Sequence, residues 1–260
     1  FPPQVPYTVN QGIFIRLLQA LSDEEFQIGE ADAKAITEAI IDWLDPDSQP
    51  IGFQCGEDDA YYSIEDRQPH RVANGPFYSV SELRLICNMP LALYYRLLPY
   101  VTVWPISGQS SININTAGAP LLRSIFVGSD DAQSLKDING KTSYQVPPPL
   151  TVVDIEKVLT KTQAEPLPNA EVEAKEQRDV RELQNTTDDA SAAMGYASLA
   201  EVTADLSSQV LWPNAELGLY SNWFMLEAVV TLDRLTQTMS SVISRENGSI
   251  TIPARSTGGL

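Results

Sequence analysis

The sequence predicts an α+β protein, with helices first and an antiparallel sheet last. Three observations carry that reading. Apolar residues recur at helical spacing in segments up to about position 205. Near the C-terminus, Phe224, Leu226, Ala228, Val230 and Leu232 occupy alternate positions, which gives a strand one apolar face. Asn247-Gly248 then supplies a hairpin signal between a second strand at 236–246 and the segment SITIPAR. The organisation implied is an extended lead-in over 1–9, a helical domain over 10–205 and a β region over 206–260. The helical domain holds an acidic loop at 45–75 and an acidic insert at 164–193.

Each element has its own signal. Asn10 is placed to cap a helix running to about Leu21, with Ile13, Leu17, Leu18 and Leu21 on one face. A second helix spans about Glu30 to Leu44, where Ile36, Ile40, Ile41 and Leu44 repeat and Trp43 adds bulk. Pro46 and Pro50 end it, and a long acidic loop follows. Such a loop needs a reason, such as a metal, a disulfide or a contact surface. Ser79 and Glu82 have capping-box spacing and open a helix to about Cys87; Pro90 sits at the start of another, LALYYRLLPYV. Thr116 and Pro120 announce the short helix PLLRSIF, and 129–138 has helical potential. Thr151 with Asp154 begins TVVDIEKVLTKT as a further capping box. Segment 164–193 is polar and weakly periodic, with a solvated helix at 169–184 and a mobile stretch at 185–193.

Bulk charge narrows the function. Across 260 residues, 34 acidic side chains face 17 Lys plus Arg, for a net charge of −17. Such a chain lacks the cations that displace counterions from nucleic acid or hold an anionic lipid surface. It suits divalent cations, basic partners and solubility. No run reaches the ~20 apolar residues of a membrane helix, and no signal peptide is read. The chain begins at Phe1, as a processed or trimmed polypeptide would. Catalytic signatures are missing from the sequence. There is one histidine, His70, and no G-x-S-x-G, H-E-x-x-H, P-loop or G-x-G-x-x-G. The expectation is a protein without enzymatic activity. Tyr61, Tyr62, Tyr94, Tyr95, Tyr100 and Trp104 read as core or interface aromatics rather than a sugar cleft.

The acidic loop is the main candidate site. Asp45, Asp47 and Gln49 alternate just past a helix, a pattern that converges oxygen ligands on calcium. This is no EF-hand: counting Asp45 as the first position, Pro50 stands where glycine is required and Gly56 where the bidentate glutamate belongs. Glu57, Asp58 and Asp59 follow, and Asn74 offers an amide oxygen. Spacing alone leaves two readings open, a solvated acidic loop or a shared cation. The candidate ligands are Asp45, Asp47, Gln49, Glu57, Asp58 and Asn74. Asp59 and Asp42 are the weakest of the acids, Asp42 because it lies on the helix as a capping or solvated residue.

Four ordered segments carry a resemblance: AIIDWLDPDSQP (39–50), GEDDAYY (56–62), ANGPFYSVSELRLI (73–86) and ININTAGAPLL (112–122). Together they resemble the soluble region of the K-type minor pseudopilins of type II secretion systems. The likeness covers about 40–125 well and the C-terminal strands loosely. It implies a pseudopilin-type antiparallel sheet carrying a large inserted all-helical domain, SAM-like or helix-hairpin-helix-like. It also implies a hydrophobic N-terminal helix, absent from this chain, as the anchor in the inner membrane of a Gram-negative periplasm. The implied role is at the tip of the pseudopilus, with I-type and J-type minor pseudopilins as partners and the outer helical surface toward the secretin or an exoprotein. The family's D-W-[IL]-D-x-D and G-x-[ED]-D-x-Y patterns, present here, favour calcium as cofactor. Cys55 and Cys87 are the only cysteines. In an oxidising periplasm they form one bridge, closing roughly 30 residues and contributing about 3–4 kcal/mol; the alternative is two buried thiols.

Two rival readings come from other classes. One is a calcium-stabilised periplasmic protein-binding module outside secretion. The other arises because ININTA also resembles the opening of helix-hairpin-helix DNA modules. The downstream FVGSDDAQSL has one glycine and two aspartates where backbone amides should meet phosphate, so nucleic-acid binding is not expected. Ile112 and Ile114 then read as apolar anchors, and Asn113, Asn115 and Thr116 as turn and cap residues.

Overall fold

The computed structural model describes residues 7–51, 71–106, 111–128, 146–162, 195–206, 210–211, 217–232, 235–246 and 248–257. Elements are labelled among these residues. Helix α1 spans Val9–Ala20 and α2 Glu30–Leu44. A 3-10 turn follows at Val80–Leu85, then α3 (Leu91–Leu97), which runs into a second 3-10 turn, Leu98–Tyr100. Helices α4 (Ala119–Ile125), α5 (Glu156–Thr162) and α6 (Leu199–Asp205) complete the helical part. The expected helix at 129–138 and the acidic insert at 164–193 lie outside the described residues.

Local chemistry corrects several expected starts. The cap of α1 is Thr8, not Asn10. Its hydroxyl accepts from the Gln11 amide at 3.3 Å while the Gln11 side chain accepts from the Thr8 amide at 2.8 Å, a reciprocal box that a Ser/Thr with Gln three residues on provides. The Ser79/Glu82 box does form, but the six residues after it wind as a 3-10 turn rather than an α-helix. Pro90 precedes α3 as its extended cap residue, and Gly118, not Thr116, caps α4. Thr151 and Asp154 do bond, through the Thr151 amide at 2.9 Å and hydroxyl at 2.6 Å, ahead of the turn that leads into α5.

Two apolar cores share α1. Ile15, Leu17, Leu18 and Leu21 face Ile36, Trp43, Leu83, Ile86, Leu93 and Leu97 in the first. Ile13 turns instead toward Ile114, Leu122, Ile125, Phe126, Val158 and Val202 in the second. Arg16 is buried between α1 and α4, where its Nε donates to the Ser124 carbonyl at 2.6 Å; burial lowers its pKa to about 10.

The ININTA segment stitches distant chain together. Strand β1 (Ile112–Asn113) pairs in parallel with β4 (Leu217–Gly218), and β2 (Val127–Gly128) pairs antiparallel with β3 (Val210–Leu211). Asn113 caps the following turn by accepting from the Asn115 amide at 3.0 Å. Asn115 donates to the carbonyls of Tyr196 (3.0 Å) and Leu219 (3.2 Å) and accepts from the Tyr196 amide at 2.7 Å. Gly195 adopts φ +114°, and a Cβ there would meet the Asn115 side chain at 2.9 Å.

The C-terminal sheet forms in the order β5 (Trp223–Leu232), β6 (Leu235–Glu246), β7 (Ser249–Thr257), antiparallel throughout, with an irregularity between Val242 and Ser244. Gly248 turns at φ 77°, as the hairpin signal required; Asn247 lies outside the described residues. Trp104 stacks on Trp223 with centroids 6.1 Å apart, tying the helical part to the start of the sheet.

Candidate functional site

Two places have the character of a site: the junction at the end of α2, and one face of the sheet. At the first, α2 ends on Asp45, whose amide still bonds to the Ile41 carbonyl at 2.9 Å. The turn at Asn74, with φ 46°, folds back over it. Gly75 N–H donates to the Trp43 carbonyl at 3.0 Å, and the Asn74 amide nitrogen donates to the Asp47 carbonyl at 2.7 Å. The Trp43 and Phe77 rings stack beneath with centroids 5.7 Å apart. The fold therefore brings Asp45, Asp47 and Asn74 to one junction. Gln49 is exposed, and its amide donates to Asp47 Oδ1 at 2.8 Å. Glu57, Asp58, Asp59, Cys55 and His70 lie outside the described residues.

The residue that sequence reasoning undervalued is Asp42. It is neither solvated nor a helix cap but buried, at 2% exposure. Its Oδ1 accepts from the Ile51 amide at 2.9 Å, while its Oδ2 is buried with no hydrogen-bond partner, as is Asp45 Oδ1. Burial raises the Asp42 pKa to about 6 against the Ile51 bond, and Asp45, Glu38 and Asp47 add repulsion. The signal was in the sequence: Asp42 precedes Asp45 by three residues, one helical turn, so both fall on one face. Two buried carboxylate oxygens without partners match the oxygen-donor chemistry of a hard cation. Among the described residues no three Asp, Glu, His or Cys side chains converge on one point, so a full shell needs ligands beyond them.

Cys87 is buried in the first core and is not a free thiol.

The second place is the sheet. The register puts Phe224, Leu226, Ala228, Val230 and Leu232 opposite Ile243, Ser241, Met239, Gln237 and Leu235, on one face. The alternation is as expected, but the face it creates is open. Leu232, Leu235 and Ile250 are 71–74% exposed, and Phe224, Leu226 and Val230 are exposed too. Met225 and Val229, on the other face of β5, are exposed as well, and apolar side chains left open in this number mark a surface meant to be covered. No helix among the described residues is long and apolar enough to cross a membrane.

Helices packed around two cores, an antiparallel sheet with an exposed apolar face and an acidic junction define an α+β protein with a surface open for contact. The comparisons make this specific. The family model for type II secretion system (T2SS) protein K matches residues 4–106. A type II secretion system protein K of Dickeya chrysanthemi is 39% identical over 128 residues, 48% of this chain and 32% of that protein. One of Pseudomonas aeruginosa is 35% identical over 141 residues, 54% of this chain and 39% of that protein. The matched part thus spans about a third of the length of these relatives. A chain in the crystal structure of the GspK-GspI-GspJ complex of the enterotoxigenic Escherichia coli type 2 secretion system has the same fold, with a TM-score of 0.55 at 22% identity. That match covers all of this chain and 73% of the other. Over residues 4–106 the chain is therefore similar to type II secretion system protein K.

Proposed function

We propose that this protein is a minor pseudopilin at the tip of the type II secretion pseudopilus, where it initiates or caps the fibre with I-type and J-type minor pseudopilins. The observation that carries the reading is the open apolar face of β5–β7. A sheet that buries little of its own apolar surface is completed by something else, and the similarity to type II secretion system protein K suggests the candidates: a hydrophobic pseudopilin N-terminal helix and the two partners. The solved relative assembles with GspI and GspJ. The helical part, read as the inserted SAM-like or helix-hairpin-helix-like domain, is too bulky to stack within a filament and fits a terminal position. Here the asparagines of ININTA hold the protein's own backbone, which favours a scaffold over a phosphate site. Localisation in the periplasm, with an inner-membrane anchor in the full-length protein, follows from the same reading.

Calcium is the proposed cofactor. Asp42 and Asp45 offer the two unpartnered oxygens, Asp47, Gln49 and Asn74 lie around them, and Glu57 and Asp58 are the further ligands the sequence supplies. The ion would neutralise repelling carboxylates and fix the loop to α2; it has no part in bond chemistry. A Cys55–Cys87 bridge is proposed as the second tether of that loop, supported by the burial of Cys87 and by Cys55 being the only other cysteine.

The test is co-expression with the I-type and J-type proteins. A stoichiometric ternary complex is expected, and Val230→Glu with Leu232→Glu should abolish it while leaving the helical part folded. If the native protein forms no complex, the tip reading fails and the alternative, a calcium-stabilised periplasmic binding module, takes its place.

A further inference from the structure

The distribution of charge along the chain is uneven in a way the acidic total hides. Between Glu82 and Asp130 there is no acidic side chain, whereas Arg84, Arg96 and Arg123 all fall in that stretch. The stretch includes α3. One side of α3, Leu93, Tyr94 and Leu97, is packed into the first core. The other side carries Leu91, Tyr95 and Leu98 at one-turn spacing, 38–60% exposed, with Ala92 and Pro99 exposed beside them. No charged residue interrupts this outward stripe.

Two of the three arginines are committed inside the molecule. Arg96 pairs with Asp23 and lies over the Phe26 ring, and Arg123 donates to the Leu150 carbonyl. Arg84 differs. It is exposed, its guanidinium sits 5.9 Å from the Tyr94 ring, and among the described residues no carboxylate pairs with it. Tyr94 and Tyr95 are in edge contact at 5.3 Å, so the ring that Arg84 faces adjoins the Tyr95 ring of the stripe.

We propose that the outward face of α3, with Arg84 at its rim, is a docking surface for a protein partner whose contact patch is apolar and edged by a carboxylate. Charge complementarity selects the partner. A basic protein would find many counter-charges elsewhere on a chain of −17 but none on this stretch, and Asp23, brought beside α3, is already paired with Arg96. A phosphate-bearing surface would find a single available cation, too few to hold it. An apolar patch with a carboxylate beside Arg84 satisfies both the stripe and the guanidinium, and desolvation by the apolar contact strengthens the pair. This surface is separate from the sheet face and does not depend on the fibre-tip reading.

The experiment places the photo-crosslinking residue p-benzoylphenylalanine at Tyr95 in the full-length protein, in the bacterium that carries it. The expected result is one discrete adduct whose crosslinked peptide contains Asp or Glu beside apolar residues. It should be lost in Arg84→Glu, retained in Arg84→Lys, and not formed from the same probe at Val153, which is more exposed than Tyr95. Arg84→Glu should leave the melting temperature and the assembly with the I-type and J-type proteins unchanged, which separates failure here from failure of the tip assignment. No adduct, an adduct indifferent to Arg84→Glu, or an adduct to a second copy of this chain would overturn the proposal.

Discussion

The helical part and the C-terminal sheet solve opposite problems. Helices α1 to α6 enclose two cores, and residues such as Leu18, Phe126 and Val158 are wholly shielded from water. The sheet has a complete hydrogen-bond ladder between β5 and β6 but, among the described residues, only Val242 as a buried apolar side chain. Backbone pairing alone adds little net stability, since the same groups bond to water when unfolded. The helical part is built to stand by itself, whereas the sheet gains most of its stabilisation when its apolar face is covered. The same division explains why equally hydrophobic side chains in the two regions should respond differently to mutation.

The widest difference is expected between Phe126→Ala and Leu232→Ala. Deleting a fully buried ring should cost about 3–5 kcal/mol in denaturant unfolding. Truncating the exposed leucine should stay within about 0.5 kcal/mol in the isolated chain and weaken only the complex. Equal losses would mean that the sheet face is already covered in solution.

Asn115→Ala should be next. It removes three internal bonds and leaves the Tyr196 amide and the Tyr196 and Leu219 carbonyls without their partner, a cost of about 2–4 kcal/mol. Thermal melts of the variant check this; a near-neutral result would show that the clasp between the helical part and the strand that precedes the sheet contributes little.

Asp42 gives a pH test of the acidic junction. In chelator its folded pKa, about 6, lies above the ordinary carboxylate value of ~3.9. Between those values the folded protein holds a proton that the unfolded chain releases, so stability should fall as pH rises from about 4 through 6, by at most ~3 kcal/mol. Asp42→Asn should flatten that fall and stabilise the chelated protein at pH 7. Calcium should stabilise the native protein at pH 7, by about 2.7 kcal/mol at a hundredfold excess over Kd, and should not stabilise Asp45→Ala/Asp47→Ala. A melting temperature indifferent to chelator would sink the calcium proposal. The smallest effect is reserved for Thr8→Ala: loss of the α1 cap should cost about 1 kcal/mol, read as a lower melting temperature.

The candidate site was legible in part. Asp45, Asp47 and Asn74 could be chosen by residue type and turn position, because oxygen ligands near a helix end are a local pattern. Helical position says nothing about burial, so Asp42 reads locally as a capping or solvated residue; its value lies in an oxygen shut away from water by packing around α2. In ININTA, local pattern makes Asn115 a turn residue, yet its partners stand 81 and 104 positions away, a distance that local periodicity does not register.

What the sequence determined by itself is what depends on neighbours in the chain: the three-stranded sheet after the helices, though not the short strands β1 and β2 among them, the capping box at Ser79, the alternation along β5, the turn at Gly248 and the acidic balance. Propensity, capping and period act over a few residues, so they are written locally. The tertiary structure decided which apolar faces are covered and which are not. It turned Ile13 to one core and Ile15 to another, sealed Asp42 inside, left the even-numbered face of β5 and the outer side of α3 open to water, and joined residue 115 to 196 and 219. Burial is a property of how distant segments meet, and alternating hydrophobicity reads the same whether the face is packed within the chain or waits for a partner.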